Sequence, residues 1–161
     1  MGSDLGIGLR FGLNSGVLTT LGLVVGLHAG TASLLAVVGG ILAIAVADAL
    51  SEALGMRMSM EAQTEDGSPR QPWAAAGGVF AAKFAMAASF LFPVLFLPPR
   101  AAVLASVVWG LGLLAGLSYL TARSRRVPAA PAVLQHLALA AGVVGATNLL
   151  GRWTPTLLKV L

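Results

Sequence analysis

Five apolar blocks, separated by short runs of proline, glycine, serine and charge, are the feature that most narrows what this chain can become. They run from about Ser15 to Gly30, Ser33 to Met56, Trp73 to Leu97, Ala101 to Thr121 and Pro131 to Leu150. A helix needs about 20 predominantly apolar residues to cross the hydrocarbon core of a bilayer. The last four blocks have that length, and the first has it only if residues before Asn14 continue it. Backbone polar groups in lipid must bond to one another, so blocks of this kind predict α-helices. The expected architecture is an all-α, multi-pass integral membrane protein with a single transmembrane domain over residues 1–161. Composition agrees: of 161 residues, 57% are hydrophobic and only 10% charged, where a soluble domain carries about a quarter charged residues.

The breaks between blocks are readable. Gly30 and Thr31 end the first, and Ser33 is placed to cap the second. Residues 58–72 form a short loop, whose "EAQTEDGSPRQP" (Glu61 to Pro72) is the one strongly polar stretch. Pro98 and Pro99 stop the third block, and "RSRRVPAAP" (Arg123 to Pro131) separates the last two. At the amino end, "MGSDLGIGLRFGLNSG" lacks the basic start, apolar core and small-residue cleavage site of a signal peptide. The N-terminus is therefore expected to stay with the membrane domain.

Charge orients the helices. Arg10, Arg57, Arg70, Arg123, Arg125 and Arg126 fall on one side, and Arg100, Arg152 and Lys159 on the other. Basic loops stay cytoplasmic, which predicts a cytoplasmic N-terminus and, if the source is prokaryotic, a place in the cell membrane. The formal net charge of +4 reflects this topology and is no argument for nucleic acid. Cysteine is absent, which excludes disulfides and thiolate chemistry. No nucleophile–base pair, P-loop or dinucleotide fingerprint occurs, so neither an enzyme nor a bound cofactor is expected.

Chemistry concentrates in the second block, "ILAIAVADALSEALGMRMSMEAQ". Asp48, Glu52 and Met56 lie four apart and share one helix face. Asp48 is about 15 residues from the block's outer end, roughly 22 Å at 1.5 Å per residue, so it lies within the membrane. A carboxylate there costs at least about 2.5 kcal/mol, and two on one face need a proton, a lysine or a cation. Lys83, in "FAAKFAM", is the only lysine inside an apolar block. A pure ion pair of Lys83 with Asp48 or Glu52 leaves one acid over. An ion pathway accounts for both, and two carboxylates with a thioether suit a divalent cation. Glu61 and Glu65 in the loop would line a cytoplasmic mouth.

Glycine repeats add a packing signal. Gly8, Gly12 and Gly16 are four apart, as are Gly22, Gly26 and Gly30, and Gly112 and Gly116. Such stripes let another backbone approach closely, either within one bundle or from a second subunit. Asn14-Ser15-Gly16 reads as a break or cap at the start of the first helix, turning oxygens toward the acids of the second.

The stretch "GLNSGVLTTLGLVVGL" (Gly12 to Leu27), with "GGILAIAVADALSEALGMRMS" (Gly39 to Ser59), resembles the vacuolar iron transporter family, which has manganese-transporting relatives. That family has five membrane helices, an Asn-Asp-Gly turn leading into the first, and an "AGALSMAAGEY"-like second helix. Asn14-Ser15-Gly16 takes the turn's place and "ADALSEALGMR" (Ala47 to Arg57) the helix's. Ser15 falls on the turn aspartate, Glu52 on the family's methionine, Met56 on its glutamate and Asp48 on a small residue. The loop of a dozen residues (Glu61 to Pro72) is too short for the three-helix insert of plant-type members. The resemblance implies a homodimer that exports Fe2+ or Mn2+ from the cytoplasm against protons, along a path lined by the first two helices. Asp48, Glu52, Met56, Asn14 and Ser15 would then contact the metal as substrate. Transport of another cation or a small solute, and a non-transporting membrane assembly module, are the alternatives.

Overall fold

The computed structural model describes residues 2–63 and 71–158, and these are helical apart from short joints. In chain order the helices are α1 (Gly2–Thr31), α2 (Leu34–Ala62), α3 (Pro72–Ser89), α4 (Leu91–Phe96), α5 (Pro99–Ser124) and α6 (Ala129–Leu158). With α3 and α4 taken as one broken span, five helices are long and apolar enough to cross a membrane. The charged loop residue Glu65, together with Arg70 and Lys159, lies outside the described residues.

The first helix corrects the sequence reading. α1 runs unbroken through Asn14-Ser15-Gly16 and starts at Gly2 rather than Ser15. Polar side chains are accommodated there by bonding back to the helix: Asn14 Nδ2 donates to the Arg10 carbonyl (3.1 Å) and Thr19 Oγ1 to the Ser15 carbonyl (3.0 Å). Gly16 serves packing instead of a turn. A Cβ at Gly16 would stand 3.0 Å from Met86 Cβ and 3.1 Å from Lys83 Cα, and one at Gly12 only 2.5 Å from the Val79 carbonyl oxygen.

These contacts also give the helix directions. Gly8, Gly12 and Gly16 meet Ala75, Val79 and Lys83 in ascending order, and Gly22, Gly26 and Gly30 meet Val143, Thr147 and Gly151 likewise. So α1, α3 and α6 run parallel, with α1 between the other two. Gly40 instead faces Leu23 and Leu27, and Gly110 faces Leu21, as antiparallel α2 and α5 require. Both glycine stripes of α1 therefore pack inside the chain. A Cβ at Gly112 or Gly116 would meet no atom within 4 Å, so this pair looks outward.

Capping and proline explain the remaining ends. Ser33 is the N-cap of α2, its hydroxyl accepting from Ala36 N. The bend between α3 and α4 follows from Pro93, which has no N–H to give the Ser89 carbonyl. Phe90 N bonds to Ala87 O instead (3.1 Å), and Trp109 Nε1 on α5 donates to Ser89 Oγ (3.2 Å). The core gathers Val17, Leu21 and Val24 of α1 around Ile41, Phe90 and Leu114.

Candidate functional site

Three helices bring Ser15, Asp48, Glu52 and Lys83 together. Alanines make this possible on α2: Ala45, Ala49 and Ala53 are buried, which leaves room for α3 and puts their neighbours Asp48 and Glu52 along the seam. On the other side, Gly16 lets α1 approach the backbone of α3 at Lys83. Lys83 Nζ then lies 2.6 Å from Asp48 Oδ2, 2.5 Å from Glu52 Oε1 and 3.2 Å from Ser15 Oγ. Ser15 Oγ in turn donates to Glu52, with oxygens at 2.7 and 2.8 Å.

An ammonium has three hydrogens and no acceptor, so these three partners use all of it. Lys83 is 1% exposed, while the side chains of Asp48 and Glu52 keep 34% and 26% exposure. With every group ionised the cluster carries one net negative charge, held where lipid would stabilise it poorly. Both acids flank an outward stripe on α2, where Gly39, Ala43, Ala47, Ser51, Gly55 and Ser59 are all exposed. That spacing admits a close helical neighbour.

The other sequence candidates stand apart from this cluster. Met56 packs with Phe80 against Ala53, Ala76 and Val79. Asn14 points its amide back to Arg10, and its Oδ1 is buried without a hydrogen-bond partner. Glu61 is paired with Arg57 (2.8 Å), which also stacks over Trp73 at 4.3 Å. Among the described residues, no three His, Cys, Asp or Glu side chains form a group able to hold a metal ion. A cation at this site would therefore rely on Asp48 and Glu52 with the Ser15 hydroxyl.

A second polar region escaped the sequence reading. Between α1, α5 and α6, a cleft of about 730 Å³ is lined by Arg10, Asn14, Ser15, Ser118, Arg125 and His136 with several apolar side chains. Its signal in the sequence was Arg10 one turn before Asn14, two arginine-bearing segments and no acid among them. Compared with known proteins, the chain matches no family model and no curated protein sequence.

Proposed function

We propose that this chain is a transporter of a divalent transition-metal ion, Fe2+ or Mn2+, which it moves out of the cytoplasm as a homodimer. The observation that carries the reading is the cluster itself. Two carboxylates inside a membrane span share a single lysine, remain partly exposed, and border a smooth stripe of small residues on α2. A second copy packed on that stripe would bring two such clusters to one interface. The likeness of "GLNSGVLTTLGLVVGL" and "ADALSEALGMR" to vacuolar iron transporters favours the same site. Arg10, Arg57, Arg123, Arg125 and Arg126 at one end of the bundle, against Arg100 and Arg152 at the other, favour a cytoplasmic N-terminus.

The geometry suggests how protons would couple. Lys83 Nζ occupies the position between Asp48 and Glu52 that a metal would need. An arriving cation has to displace the ammonium or make it give up its proton. Either way one positive charge leaves the carboxylates as two arrive. The test is flux into proteoliposomes with Fe2+, Mn2+, Co2+ and Zn2+ in parallel, for the parent chain and Glu52→Gln. Metal-dependent flux lost in the variant is expected; equal flux in both would rule this site out.

One observation favours a second reading. Every hydrogen of the Lys83 ammonium is already bonded, as a purely structural lock requires. A non-transporting assembly module of this kind would show no flux of any of the four metals, with the homodimer intact.

A further inference from the structure

The cleft between α1, α5 and α6 is lined by cations that no carboxylate among the described residues pairs. Arg10 and Arg125 both line it, and among the described residues neither has a carboxylate within salt-bridge distance. Arg57, by contrast, is held by Glu61 and Trp73. No acidic residue is among the described residues that line the cleft. The first turn of α6, bracketed by the lining residues Val127 and Ala132, also lacks an acid, so its free N–H groups add positive potential.

Two neutral groups in the same wall lack partners. Ser118 is 3% exposed and its hydroxyl makes no hydrogen bond. Thr20 and Ser106 are in the same condition in the core, but of the three only Ser118 lines the cleft and has a donor to offer there. The other neutral group of the wall, Asn14 Oδ1, is buried in the same condition but is an acceptor, which a phosphate oxygen cannot satisfy. His136 Nδ1 donates to the Ala132 carbonyl at 2.8 Å, so the neutral ring has only an acceptor left at Nε2. Two guanidiniums and the Ser118 hydroxyl thus line one cleft, with no carboxylate among the described residues of its wall.

We infer that this cleft binds a phosphate group, and that the phosphate is the headgroup of an anionic membrane phospholipid. The chemistry of the cations and hydroxyls is that of phosphate recognition. The choice of a lipid over a soluble phosphate rests on the rest of the wall. Ile7, Phe11 and Leu18 line the same cleft and offer an apolar track for an acyl chain. Arg125 caps the end of α5 and Arg10 lies in the first third of α1, and basic pockets between membrane helices take such headgroups. This site stands whether or not Asp48 and Glu52 bind a metal.

Native mass spectrometry of the purified full chain, from micelles containing phosphatidylglycerol and phosphatidylcholine, tests it. The parent chain should retain one phosphatidylglycerol in preference to phosphatidylcholine. Each exposed arginine near a membrane surface contributes about fivefold, so Arg10→Gln with Arg125→Gln should weaken retention about 30-fold. Arg57→Gln, whose guanidinium is engaged elsewhere, should bind as the parent does. Ser118→Ala breaks no bond within the protein, yet should weaken retention about two- to tenfold. Circular dichroism on each variant checks that the helices are intact. Equal retention of the two lipids, or a double variant that binds like the parent, would overturn the site. Displacement of the lipid by millimolar inorganic phosphate alone would assign the cleft to a soluble anion and overturn the lipid.

Discussion

Two polar neighbourhoods adjoin the same turn of α1, and they are built in opposite ways. Toward α2 and α3, Ser15 joins a cluster in which Lys83, Asp48 and Glu52 satisfy one another at 2.5 to 3.2 Å. Toward α5 and α6, Arg10, Arg125 and Ser118 line a cleft with an unbonded hydroxyl and, among the described residues, no counter-charge. The first neighbourhood is closed by its own side chains, so disturbing it should cost stability. The second is left incomplete by the protein, so changing it should alter binding while leaving the fold alone. Polarity inside a membrane protein thus divides into groups that hold helices together and groups that wait for something else.

The most direct way to break this contrast is to remove the lysine. Lys83→Met leaves two carboxylates facing one another without a counter-charge, and breaking a buried pair in this way costs about 3–5 kcal/mol. Unfolding in a denaturing-detergent titration should show the loss. Adding Asp48→Asn and Glu52→Gln to the same chain should restore most of it, since the penalty lies in the uncompensated charges.

Gly12→Leu should come next. Its Cβ would meet the Val79 carbonyl at 2.5 Å, and overpacking of this kind costs about 1–3 kcal/mol. Gly112→Leu, on an outward face, should leave the melting temperature unchanged. A pair of serines then sharpens the comparison. Ser15→Ala removes a hydrogen bond to a charged group and should destabilise by about 1.5–3 kcal/mol, while Ser118→Ala breaks none and should cost less than about 1 kcal/mol. Equal losses at the two serines would mean that the cleft is as closed as the cluster. A gain in place of a loss is expected at Ala32, which holds a left-handed φ of 49° between α1 and α2. Ala32→Gly should raise stability by about 1 kcal/mol by relieving that conformation, read as a later midpoint in the same detergent titration.

How much of this could be read from the sequence depended on whether a feature was local. The five spans follow from block length, and the Ser33 cap from one hydroxyl before an apolar run. Asp48 and Glu52 announce themselves by spacing, and Lys83 by being the lone lysine in a span. That one ammonium would take both acids and Ser15 depends on the register of three helices, which no single segment encodes. The start of α1 was misread because Asn14-Ser15-Gly16 looks like a break. Gly16 answers a distant neighbour along the chain, Lys83, rather than a need for a turn. The bend at Ser89 was signalled by Pro93 and passed over within a long apolar block. The cleft draws on α1, α5 and α6, so none of its segments looked unusual alone.

The distribution of glycines has a mechanical consequence. On α1, Gly8, Gly12 and Gly16 are pressed against α3 and Gly22, Gly26 and Gly30 against α6, whereas Gly39 and Gly55 on α2 touch nothing. The three parallel helices are interlocked along their backbones and behave as a stiff frame. α2 leans on that frame through α1 as well as α3, with Gly40 against Leu23 and Leu27 and Val37 and Ile41 in the core, so only its outer side, at Gly39 and Gly55, is left without a close backbone neighbour.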